Sequence, residues 1–244
     1  MQTPVDPAAS DGPPEGATGA EAWLLVCDAL MRGLNHALSN RVATVSAVVS
    51  VIVPDAEGAD AEMFKALLAE VRRLEKMLRL LRLVPSTPHP ATDAVRAAEI
   101  LAHVVEAHEH HPDLREVPCT LECGTGLPAV PIRESALAHS ALALITAAKQ
   151  VVCDHGGGEV RVRCGGDARG LALRVEALPG TPLPGAEYRL PPVVPISPAV
   201  AVRAARWAIA GERCELREAA AEGALAGYEL AVPAPGPPGP PGPR

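Results

Sequence analysis

Between residues 20 and 53 apolar side chains return every three or four positions: Leu24, Cys27, Met31, Leu34, Leu38, Val42, Val45, Val49 and Ile52. That interval puts them on one stripe of a single long helix. Pro54 and the PDAEGAD stretch end it. Phe64, Leu67, Val71, Leu74, Leu78 and Leu81 repeat the interval over residues 60–84, with Asp60 as N-cap and Pro85 closing the element. Two long helices joined by a short connector predict an antiparallel hairpin. One hairpin cannot bury two stripes of this length by itself. A second copy completes a four-helix bundle, so a homodimer is expected.

The texture changes after Pro90. Residues 91–111 and 131–151 carry helical patterns, and residues 117–122 read as a strand. The glycines Gly156 to Gly158 read as a hairpin turn that opens an alternating strand, GEVRVRC. A second alternating strand, LALRVEAL, follows. The Pro-rich residues 179–198 read as a loop, 199–211 as a helix, and ERCELREA and AGYELAVP as two last strands. The class predicted is α+β: a helical hairpin over residues 19–86, then an α/β sandwich over residues 91–233. Residues 1–18 have too little apolar surface to order themselves, and residues 234–244 form a Pro/Gly tail too short for a triple helix.

Composition narrows the function classes. Aromatic residues make up only 2% of the chain, so the core must be filled by Ala, Val and Leu, which suits close helix packing. The net charge of −7 repels phosphate backbones and speaks against a nucleic-acid partner. No unbroken apolar run reaches the roughly 18 residues of a spanning helix. The N-terminus lacks a basic region followed by an apolar one. No membrane association and a cytoplasmic location are therefore expected. The six cysteines form no CxxC pair, and Cys119 and Cys123, four apart, have no matching second pair, so reduced thiols are expected in place of a zinc site. His108, His110 and His111 with Glu106 and Glu109 cluster at a predicted helix end. There a solvated C-terminus, where the dipole favours imidazolium, is preferred over a metal site.

His36 stands in the middle of the first long helix, off the centre of the apolar stripe. A histidine so placed is a nitrogen nucleophile able to carry a phosphoryl group and pass it to an aspartate. Asn40 lies one turn on and shares its face. The stretch Leu34-Asn35-His36-Ala37-Leu38-Ser39-Asn40-Arg41-Val42 resembles the phosphoacceptor box of two-component histidine kinases. His36, Leu38, Ser39, Asn40 and Val42 fit it, while Ala37 replaces the acid and Arg41 the proline. The order of hairpin then α/β domain resembles the same kinase core over residues 20–233.

The resemblance implies a phosphoacceptor role for His36 and water positioning for Asn40. It also implies an eroded nucleotide site. Thr146 stands where the family has its magnesium-binding Asn, and Ala177 where it has the Asp that reads adenine. Prolines and Ser197-Pro198-Ala199-Val200-Ala201 replace the glycine boxes. No cofactor and no metal are expected. The function implied is that of a degenerate, dimeric histidine phosphotransferase. It would relay phosphate between His36 and the aspartate of a response-regulator receiver domain or a hybrid kinase, without ATP-dependent kinase activity. The alternatives are a non-catalytic dimeric scaffold or inhibitor that binds a receiver or a kinase, and a divergent active sensor kinase.

Overall fold

The computed structural model describes residues 18–52, 67, 69–74, 78, 96–182 and 196–234. The N-terminal segment before residue 18, the interhelical turn, the boundary at residues 86–91, the stretch 183–195 and the tail from 235 lie outside the described residues.

Helix α1 (Gly19–Ile52) begins in a reciprocal cap. Thr18 N–H donates to Glu21 Oε2 (2.6 Å) and Glu21 N–H donates to Thr18 Oγ1 (3.3 Å), satisfying two backbone donors that a helix start leaves open. Its first half buries Ala22, Trp23, Val26, Cys27, Ala29, Leu30 and Leu34. This corrects the stripe expected from spacing, because Leu24 is 62% exposed. Residues 22–27 are apolar without interruption, so spacing permits more than one phase. Trp23 decides it by stacking on His139, with ring centroids 4.3 Å apart.

Past Leu34 the stripe emerges: Leu38 is half-buried and Val42 half exposed. The side chains of Val49 and Ile52 lie outside the described set. Residues 69–74 are helical, as the second repeat predicts. They meet α1 through the buried Glu70, which takes Arg41 (3.4 Å) and Arg73.

The rest is one sheet with helices on one face: α2 (Ala97–His108), β1 (Cys119–Cys123), α3 (Glu134–His155), β2 (Gly157–Asp167), β3 (Gly170–Pro182), α4 (Pro198–Ala208), β4 (Glu215–Glu218) and β5 (Ala226–Pro233). The strand order is β1-β2-β3-β5-β4. Only β1 and β2 run parallel, with α3 as their crossover. The α+β class is as the sequence predicts.

The period of two along the strands sends Val160, Val162, Leu171, Leu173, Val175, Leu230 and Val232 to the helix layer. The opposite face carries charge. Arg163 pairs with Glu176, and Glu229 takes both Arg174 (2.6 Å) and Arg217. Helix α3 is apolar enough over its length to span a bilayer, and the core accounts for that composition, because 83% of its most apolar stretch is buried inside the molecule. The first half of α1 packs on α4, so helix α1 shares the core of the α/β layer.

Two local readings are corrected. Gly156 (φ 86°) caps the C-terminus of α3 in the left-handed conformation, so the glycine run ends a helix and does not turn a hairpin. Strand β3 continues through Pro182, opposite Gly157, where a loop was expected from residue 179.

Candidate functional site

Two residues after the buried Leu34, His36 reaches solvent. The Asn40 side chain lies one turn further along, with Nδ2 3.3 Å from His36 Nε2. An amide N–H can only donate. This pairing therefore makes Nε2 the acceptor and leaves the ring proton on Nδ1. His36 opens into a cleft of about 460 Å³ between α1 and the loop after α2. Arg32, Ala37 and Asn40 line it on one side, and Glu109, Asp113 and Arg115 on the other.

Gly33 sets how close the two walls come. A methyl group there would stand 1.6 Å from the backbone oxygen of His110. Only glycine lets α1 cross the loop at this distance. Arg41, which replaces the proline of the resembled box, pairs with Glu70.

The loop wall rests on buried polar groups. His111 Nδ1 accepts from the backbone N–H of Asp113 and of Leu114, both at 3.2 Å. Lys149 Nζ donates to the carbonyl of Leu114 at 3.2 Å. His108 lies 6.2 Å from His111, centroid to centroid, with its Nε2 3.1 Å from the carbonyl of Leu142. A carbonyl only accepts, so His108 carries its proton on Nε2.

Burial, then the Lys149 ammonium, holds both imidazoles below their ordinary value, His111 at about 4. Burial also lowers Lys149. The expectation of a solvated helix end is thereby corrected for His108 and His111, which are 0% and 2% exposed. They are neutral packing groups that shape the loop. Among the described residues no group of three or more His, Cys, Asp or Glu side chains is arranged to hold a metal.

The positions that the resemblance aligns with a nucleotide site lie inside the fold. Thr146 is fully buried on α3, and its hydroxyl donates to the carbonyl of Leu142 at 2.9 Å. Ala177 is fully buried in the middle of β3, opposite Val160 and Ala226. Helix α4 starts from a Ser197 cap that accepts from Val200 N–H at 3.3 Å, with Pro198 as first residue, where the resembled family has glycines.

His36 and Asn40 thus meet in one cleft, while Thr146 and Ala177 lie in the core. Sequence reading missed Arg32, Glu109, Asp113 and Arg115 as cleft residues. Glu109, Asp113 and Arg115 come from a loop more than seventy residues further along the chain, and no spacing links them to His36. They place carboxylates and a guanidinium opposite a histidine whose own neighbour, Ala37, has neither.

The sequence matches no family profile and no curated protein. Among solved structures, the chain is similar to a bacterial phosphotransferase: 12% identity, TM-score 0.44, covering 85% of this chain and 96% of that one. It is also similar to the Acinetobacter baumannii histidine kinase AdeS, at 15% identity and TM-score 0.41, over 81% of this chain and 97% of that one. A third likeness is to the catalytic domain of the histidine kinase ThkA, at 10% identity and TM-score 0.41, covering 57% of this chain and 92% of that domain.

Proposed function

We propose that this chain is a histidine phosphotransferase of the two-component type, with His36 as the phosphoryl carrier and the aspartate of a receiver domain as its donor and acceptor. The observation that carries the reading is the exposed His36 in a cleft, with the Asn40 amide on Nε2 and charged side chains facing it. In the transfer, the Nε2 lone pair leaves its 3.3 Å contact with Asn40 and attacks the phosphorus of an aspartyl phosphate. The bond from phosphorus to the carboxylate oxygen breaks, and the Nδ1 proton passes to a base. Glu109 and Asp113, in the same cleft, are the carboxylates that Ala37 fails to supply. The guanidinium groups of Arg32 and Arg115 are suited to the phosphoryl oxygens. Asn40, released from the ring, is placed to orient water for the competing hydrolysis.

The protein works as a homodimer in this reading. Leu24, Val42, Val71 and Leu78 are 39–62% exposed in the single chain, and a second copy of the hairpin is their natural cover. The enclosed Thr146 and Ala177 support phosphate arriving from a receiver and not from ATP. A scaffold that only holds a receiver is favoured by one residue, Ala37, and shares the docking but not the transfer. Incubation with a set of phosphorylated receiver domains separates the two. The phosphotransferase reading expects loss of receiver phosphate in the presence of this chain, and slower loss with Asn40→Ala. Binding of a receiver with no change in its phosphate lifetime favours the scaffold.

A further inference from the structure

Cys123 and Cys164 are register partners across the parallel strands β1 and β2. Neighbouring strands lie about 4.8 Å apart, within the roughly 4.4–6.8 Å between Cα atoms that a disulfide spans. Partners in register send their side chains to the same face of a sheet, here the helix-facing one that carries Val160 and Val162. The pairing is held at this point, since Gly124 N–H donates to the Cys164 carbonyl at 2.8 Å. The exposures of the two thiols differ. Cys123 ends an edge strand in solvent, whereas Cys164 is 2% exposed. No other cysteine competes from β1, because Cys119 lies four residues away along the strand, about 13 Å.

We propose that Cys123 and Cys164 form a reversible oxidation site, in which a peroxide converts the two thiols into a disulfide that staples β1 to β2. Cys123 reacts first, because it is open to solvent and Cys164 is buried. The Cys123 thiolate attacks one oxygen of hydrogen peroxide, the O–O bond breaks, and a sulfenic acid and water result. Cys164 then attacks the Cys123 sulfur. The S–S bond forms, the S–O bond breaks, and the hydroxyl leaves as water with the Cys164 proton. Two thiols are oxidised and one peroxide is reduced to two waters. Burial pushes the Cys164 thiol up to about 12, so it stays protonated and is not the first to react; its register position beside Cys123 is what makes it the partner in the second, intramolecular step. Strand β1 leads out of the loop that walls the His36 cleft, so the bond would fasten that wall's strand to the sheet centre.

The test uses the full chain treated with hydrogen peroxide, then alkylated under denaturing conditions and mapped by tryptic mass spectrometry. The expected result is that two of the six thiols escape alkylation, the intact mass falls by two hydrogens, and peptide 116–133 is joined to peptide 164–169. Dithiothreitol should restore both thiols. In Cys164→Ala the same treatment should stop at a Cys123 sulfenic acid that dimedone traps. The proposal is overturned by any of three results. All six thiols could remain open to alkylation, Cys123 of the wild type could proceed to sulfinic acid without the cross-link, or peptide 116–133 could pair with any peptide other than 164–169.

Discussion

Gly33→Ala reports directly on how the cleft is built. In an exposed helix interior this substitution stabilises, because alanine is about 1 kcal/mol the better helix former. Here the new methyl group would meet the His110 carbonyl oxygen at 1.6 Å and its carbon at 2.7 Å, where real contacts of this kind essentially never fall below 3.0 Å. The obstacle is backbone, on a loop pinned by His111 and Lys149, so no side-chain rotation relieves it. Helix α1 must retreat by more than an ångström, loosening Leu30 and Leu34 from the core. Overpacking of this kind costs about 3 kcal/mol at the upper end of its usual range. Set against the helical gain, the net loss is about 2 kcal/mol. Urea denaturation of Gly33→Ala beside Asn35→Ala, an exposed position two residues on, is the assay. Asn35→Ala should be neutral or slightly stabilising. A stabilised Gly33→Ala would refute the close crossing of α1 over the loop, and with it the cleft.

Further expectations concern pH, nucleotide and assembly. His111 is held at about 4 when folded, against an ordinary 6.5, so the unfolded chain binds its proton first as pH falls. The stability due to this group is complete above pH 6.5 and is lost as pH falls from there towards 4, by roughly 3 kcal/mol at the lower end. His108 shifts in the same direction. Denaturation midpoints at pH 7.5 and 5 should therefore differ more in the wild type than in His111→Gln, and equal differences would contradict the burial of His111. Magnesium-ATP at millimolar concentration should leave the melting temperature unchanged, since only a ligand present well above its Kd stabilises. A magnesium-dependent rise would mean that Thr146 and Ala177 do not close the site. Light scattering should give a dimer at micromolar concentration and a weakened one for Val42→Glu, while a monomeric wild type would remove the bundle from the account.

The strands were the most legible part of the chain. The segment AGYELAVP matches the bounds of β5, Ala226–Pro233, although both faces of its middle are buried, Glu229 under its two arginines. The phase of α1 was not legible, since unbroken apolar residues around Trp23 allow more than one stripe and only the ring of His139 selects among them. The burial of His108 and His111 was hidden for a different reason. A run of glutamates and histidines looks solvated, and what encloses it comes from elsewhere: Leu142 and Lys149 of α3, and the backbone of residues 113–114. His36 and Asn40 could be paired from their spacing along one helix. Their opposite wall could not, because it is brought there by tertiary packing around Gly33.

The central claim is that His36 carries phosphate, and the most direct measurement is transfer of radiolabel from phosphorylated receiver domains to the full chain, followed by mapping of the labelled residue. The account predicts acid-labile label on His36 of the wild type. It predicts none on His36→Ala, which should fold and dimerise as before because an exposed histidine on a helix gives way to a better helix former. Ala37→Glu should raise the transfer rate by restoring a carboxylate beside the ring. Equal label on the wild type and His36→Ala, or none on either with every receiver tried, would contradict it.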